Sequence, residues 1–196
     1  MGIGRMHGAF AMKIAHPLVL LLVLLLSGAG LGAAQAGPTL EEAFRGEATG
    51  VGRFKSQLAG VDRGFVVTTK GRSAGGKFVL DQVFRFDNGA LDRRTWHFRK
   101  TGPNTYVGTR DDVVGTAKVV VGEDAIRMSY DLITRGRNGS KLQLHFEDTI
   151  RRTGRDSIVN KGVISMLGMT VGSVDVAFQR QKSLRKRSRA EELARQ

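Results

Sequence analysis

The sequence predicts an all-β protein: an antiparallel up-and-down, lipocalin-like β-barrel of about 8–10 strands with a short N-terminal helix. Three observations predict it. Apolar and polar residues alternate with period 2 in several segments, turn signals recur about every ten residues, and glycine is abundant (26) while proline is nearly absent (3). Phe78, Leu80, Phe84 and Phe86 share one face, opposed by Lys77, Asp81, Arg85 and Asp87. Ile126, Met128, Tyr130 and Leu132 share a second, Leu142, Leu144, Phe146 and Ile150 a third, and Val174, Val176 and Phe178 a fourth. Successive hairpins with one dry and one wet face avoid exposed edges best by closing into a barrel, and a barrel of about eight strands encloses room for one small ligand. A two-sheet sandwich has the same periodicity and is the alternative.

Taken in order, residues 1–36 have the form of a secretory signal peptide. Arg5 and Lys13 precede the apolar run Leu18–Leu26, and small residues follow up to the A-x-A site Ala34-Gln35-Ala36. Met12 would begin a shorter version of the same leader. The apolar run is short for a membrane span. Residues 37–180 then form the barrel domain, and residues 181–196 a basic C-terminal tail. Export implies the periplasm. The chain has no cysteine, so no disulfide, thiolate metal site or Cys nucleophile is available, and no cysteine follows the apolar run to carry a lipid anchor.

Pro38–Phe44 reads as a helix with Thr39 as N-cap and Glu41 and Glu42 at the positive end of its dipole. The turns beyond it are Asp87–Gly89, Thr101–Asn104, Gly122–Asp124, Arg137–Gly139 and Thr153–Asp156, two of them containing Asn-Gly. The formal charge is +13, and Arg180–Gln196 carries seven basic and two acidic residues. In the cytoplasm such a surface would suggest nucleic acid. Behind an export signal the polyanion at hand is an anionic membrane surface, and a merely solvated tail is the alternative.

The stretch "LDRRTW", Leu91 to Trp96, places charge beside the single tryptophan. At period 2, Asp92, Arg94, Trp96 and Phe98 share a face, which the two rings mark as inward. Asp92 and Arg94 are then charges on the dry side, and a buried charge persists only when paired or solvated. Tyr130, Asp148, Asn160 and Gln82 likewise fall on otherwise apolar faces. Mostly apolar walls with a few polar groups describe a ligand-holding interior, and they also describe a satisfied structural network. Asp111 and Asp112 read as a turn, without the spacing of a calcium loop. His97 and His145 lie on outward faces. There is no H-E-x-x-H, no G-x-S-x-G and no G-x-G-x-x-G opening a helix, so no cofactor or catalytic metal is expected.

Together with "YVGTRDDVVGTA" (Tyr106 to Ala117), "LHFED" (Leu144 to Asp148) and "NKG…LGMTVGSVDVAF" (Asn160 to Phe178), "LDRRTW" resembles a bacterial family catalogued as a domain of unknown function. Its members are exported lipocalin-like barrels, many described as lipoproteins. The matching residues include Asp92, Arg94, Trp96, Tyr106, Gly108, Asp112, Phe146, Asp148 and Gly172. The chain departs from the pattern at Asp148-Thr149, where the family has Asp-Trp, at Met166-Leu167, where it has Lys-Phe, and in lacking the lipobox cysteine. The resemblance implies the fold and the exported address and supplies no established activity.

The expected function is therefore a periplasmic barrel that binds a hydrophobic or amphipathic small molecule, a lipid or fatty acid. Arg94 would meet an anionic head, Trp96, Tyr106 and Tyr130 would pack the body, Asp148 and Asn160 would orient polar atoms, and Asp92 is counted with them as a ligand-binding residue. A filled barrel acting as an envelope interaction module and a small lipid-modifying enzyme are the alternatives. If the leader is cleaved as the A-x-A site predicts, intact-mass analysis of the exported protein should show a chain beginning at Gly37 and released by osmotic shock. A retained leader would refute it.

Overall fold

The computed structural model describes residues 38–136, 139–193 and 195. The signal peptide expected at residues 1–36 lies outside them, as do Arg137 and Asn138 of one expected turn.

The helix α1 (Leu40–Phe44) begins where the sequence places it. Thr39 Oγ1 accepts from the Glu42 N–H at 3.2 Å, and Glu42 Oε2 accepts from the Thr39 N–H at 3.1 Å, a reciprocal capping box. Leu40, Ala43 and Phe44 are buried.

Ten strands follow: β1 (Gly46–Ser56), β2 (Val61–Ala74), β3 (Lys77–Phe86), β4 (Leu91–Gly102), β5 (Thr105–Thr109), β6 (Ala117–Val121), β7 (Ile126–Arg135), β8 (Lys141–Gly154), β9 (Ser157–Met166) and β10 (Met169–Arg180). Each pairs antiparallel with its sequence neighbours, and β10 returns to β1, closing the barrel. The sandwich alternative is thereby excluded. All the expected faces point inward: Phe78 and Leu80, Ile126 to Leu132, Ile150, and Val176 with Phe178 are core residues. Beyond β10 the basic tail continues as a helix, α2 (Gln181–Leu193).

Up-and-down connectivity sorts the two ends. The turns β1–β2, β3–β4, β7–β8 and β9–β10, together with the longer β5–β6 connection, share one end, while α1, the start of α2 and the remaining turns share the other. The β9–β10 turn has positive φ at both Leu167 (52°) and Gly168 (79°), the geometry that lets two residues follow the strand twist. Leu167 is 90% exposed there, an apolar side chain held in a left-handed conformation that costs a non-glycine residue energy.

The closing seam uses small residues. The inward positions of β1 run Ala48, Gly50, Gly52 before Phe54. A Cβ at Gly50 would meet the Phe178 ring at 2.7 Å, and one at Gly52 would meet Phe65 at 2.5 Å and the Asp175 carbonyl at 2.8 Å. Neighbouring rings therefore occupy the volume that β1 leaves free. Gly52→Ala should destabilise the barrel by about 1–3 kcal/mol, because the Asp175 backbone cannot yield as a side chain can. A denaturant midpoint indistinguishable from wild type would show that the seam has slack.

Candidate functional site

Inside the barrel lies a cavity of about 800 Å³. α1 forms its floor through Leu40 and Phe44, and the opposite end is lined by Leu58, Arg63, Arg135 and Gly172 at the strand ends and turns. Phe54, Phe65, Phe84, Leu144, Phe146 and Val174 supply apolar wall. An aromatic belt crosses it: Trp96 meets Tyr130 edge-on at 5.1 Å between centroids, and Tyr130 stacks on Phe146 at 5.1 Å. Trp96 can reach across because β5 and β6 are narrow there. Gly108 leaves room for the Trp96 and Phe98 rings, and Ala117 is fully buried.

Gln82 lies on this wall, and charged or hydrogen-bonded groups enter it at three places. Near the rim, Arg94 is held by Asp92 (Nε to Oδ2 2.8 Å, a second nitrogen at 2.7 Å), and its guanidinium lies 4.8 Å from the centre of the Phe84 ring. At mid-height, Arg110 makes a two-pronged pair with Asp112, the outer prong 3.0 Å long. Its side chain is 5% exposed, and the guanidinium sits 4.4 Å from the Trp96 ring centre and 5.6 Å from that of Tyr130. Deeper still, Asn160 Nδ2 donates to Asp148 Oδ1 at 3.1 Å, while Asn160 Oδ1 is buried without a partner. Gly162 opposes Asp148 across β8–β9, and a Cβ there would lie 2.5 Å from Asp148 Oδ1. The carboxylate can lie against the β9 backbone only because that side chain is missing.

Arg110 reaches the interior through the connection after β5. The Val114 N–H donates to the Asp131 carbonyl and the Ile133 N–H to the Asp112 carbonyl, each at 2.9 Å, and Val113 bridges to Leu132. The segment thus extends the wall above the short strands and directs Arg110 inward. Asp112, expected only in a turn, holds that guanidinium.

Of the residues expected at the site, Arg94, Trp96, Tyr130, Asp148 and Asn160 line the cavity. Asp92 and Tyr106 do not. Asp92 is the ion-pair partner of Arg94. Tyr106 faces inward but at the plugged end, where its hydroxyl donates to Glu41 Oε2 at 2.6 Å and ties β5 to α1. Burial, and then the Glu41 carboxylate, raise its pKa. Arg110 was missed. Its signal is the R-x-D spacing at 110–112, which mirrors the D-x-R spacing at 92–94 and puts both charges on one face of an extended chain.

On the outer surface His145 Nδ1 lies 2.8 Å from Asp131 Oδ1, with Ser129 Oγ 3.4 Å from Nε2. These three residues lie on paired strands whose backbone is engaged in the ladder, so among the described residues no set of free N–H groups faces Ser129 to stabilise an oxyanion. No group of acidic or histidine side chains suited to a metal occurs among the described residues.

Burial pushes the Asp148 carboxyl up to about 6, although the Asn160 amide, the Tyr130 hydroxyl and the Arg110 charge all favour the anion. Burial likewise raises Tyr130 well above its ordinary value, with the Asp148 charge acting in the same direction.

The chain belongs to the family described as "Protein of unknown function (DUF3833)", which matches residues 32–180. No curated protein matches it in sequence. Solved structures that share its fold include the following three. The S-type phycobiliprotein lyase CPES from Guillardia theta has a TM-score of 0.54 at 10% identity, covering 71% of this chain and 89% of the lyase. A protein of unknown function from the DUF3598 family of Nostoc punctiforme gives 0.51 at 15% identity, covering 78% of this chain and 53% of that one. Rv2717c from M. tuberculosis gives 0.51 at 14% identity, covering 71% and 93%.

The raised Asp148 pKa has a definite sign for stability. A carboxyl that holds its proton more tightly when folded than in the unfolded chain destabilises the fold above the folded value, and the cost is relieved as pH falls through it. Asp148→Asn should therefore raise the melting temperature at about pH 8, offsetting a cost of as much as about 3 kcal/mol. The gain should shrink as pH falls through about 6 and vanish near the ordinary aspartate value. A variant that melts below wild type at every pH would show that the anion is fully stabilised in place.

Proposed function

We propose that this chain is an exported cell-envelope protein that holds one hydrophobic or amphipathic small molecule, of the lipid class, inside its barrel. The observation that carries this is the cavity of about 800 Å³ with apolar walls, a plugged floor and a few polar groups. Its size falls within the range of small-molecule sites, and so does its composition. A barrel acting only through its surface has no need to leave this volume unpacked, since close packing of the interior would add stability. The fold is similar to that of an S-type phycobiliprotein lyase, and such a barrel is compatible with small-molecule binding. The basic leader and A-x-A site support export, and the exposed Lys182, Arg185 and Arg189 of α2 suit an anionic membrane surface.

Native mass spectrometry of protein purified from cells should show a lipid-sized adduct. After delipidation, an added apolar probe should shift the emission of Trp96, the single tryptophan, 4% exposed and on the cavity wall. Val174→Phe, which fills part of the cavity, should weaken probe binding by at least about tenfold while leaving the fold intact. Undiminished binding would place the ligand elsewhere.

A further inference from the structure

Both guanidinium groups inside the barrel are already committed. Arg94 is paired with Asp92 and Arg110 with Asp112 through two hydrogen bonds, so each positive charge is already neutralised and an anionic headgroup entering the interior would gain less from either than from a free cation. Arg63 and Arg135 are available only at the mouth. The deep cluster has the opposite character. Asp148 accepts from the Asn160 amide and interacts with the Tyr130 hydroxyl, but an ionised carboxylate offers about four lone-pair sites. Among the described residues, Arg110 is the cation whose charge reaches it, and that charge is shared with Asp112. Beside it Asn160 Oδ1 is a buried acceptor with no donor, an arrangement that costs free energy until a donor arrives. Acceptors outnumber donors at this point, while Phe146, Leu144 and Leu142 lead from it along β8 to the mouth.

From this imbalance we infer that Asp148 and Asn160 form an acceptor site for a hydrogen-bond-donating head, a hydroxyl or amine, on an amphipathic ligand whose chain runs up the barrel toward the mouth. The site rests on the ligand-holding role proposed above and specifies which lipids it takes. A free fatty acid carboxylate is excluded from the deep site at neutral pH, because it would bring a second acceptor group and a second negative charge against Asp148.

The test uses delipidated full-length protein loaded with the neutral fluorophore N-phenyl-1-naphthylamine near neutral pH. Dodecanol, dodecylamine and dodecanoate are compared as competitors, below their micellar concentrations. The alcohol and the amine should displace the fluorophore at concentrations lower than dodecanoate by about tenfold or more. Asp148→Asn should remove most of the amine's advantage and leave the alcohol less affected, since an amide oxygen still accepts. An alcohol that outperforms the amine in wild type would assign the site to neutral hydroxyls, and the reverse to cations. Should Asp148→Asn fail to fold, Asn160→Leu, which deletes the unpaired acceptor, should weaken the alcohol by a similar factor. Dodecanoate competing as well as the alcohol and the amine, or advantages unchanged in the folded variant, would overturn the acceptor site and leave the cavity function standing. Absence of fluorophore binding and of displacement by all three would overturn both.

Discussion

Closure of the barrel by β1 and β10 is the constraint on which the other features depend. Eight residue pairs join these strands, from Ala48↔Arg180 to Lys55↔Ser173, although more than a hundred residues separate them in sequence. Without that pairing the sheet would have two free edges and the cavity would open to water along its side. The seam forms only because β1 presents almost nothing inward over its first half, which lets Phe65 and Phe178 approach from either side. The side-chain volume missing from one strand is thus supplied by its two neighbours.

Once closed, the barrel wall shields the interior from bulk water along its side, and that decides how each internal charge is held. Arg94 and Arg110 each have a carboxylate partner two residues away on the same segment, so no tertiary contact is needed to bring either pair together. Both guanidiniums then lie against aromatic faces, Phe84 and Trp96, where a planar, weakly hydrated cation loses less than an ammonium would. Asp148 has no such partner. Three neighbours favour its anion and burial still prevails, so the deepest charge in the cavity is also the least compensated.

The period-2 pattern made most of this legible. It placed Trp96, Tyr130, Asp148 and Asn160 on inner faces, because phase along a strand is all that inward orientation requires. Height along the barrel axis depends on stagger between strands, which no single strand encodes. Tyr106 is an example, since its phase points it inward and the stagger puts it beside α1. Arg110 was invisible for a different reason: it follows β5 in a connection where no alternation exists, and its inward direction comes from hydrogen bonds to β7. The role of β1 was also hidden, since its inner face is marked by glycine where a strand is normally recognised by large apolar residues.

The segment Tyr106–Ala117, which carries much of the family pattern, can now be understood residue by residue. Tyr106 fastens the floor, Gly108 yields space to Trp96 and Phe98, Asp112 fixes Arg110, Val113 bridges to Leu132, and Ala117 keeps the wall thin. Every one of these contacts acts on the position of Trp96 or of Arg110 above it, or on the floor beneath. "LDRRTW" supplies the other half of the same arrangement from the adjacent strand, with Phe98 opposite Gly108 in the β4–β5 register. The charges beside the tryptophan therefore have a physical reason. Two paired guanidiniums and an aromatic belt set the shape of the cavity and neutralise its upper part, while Asp148 and Asn160 lie beneath them with acceptor capacity to spare.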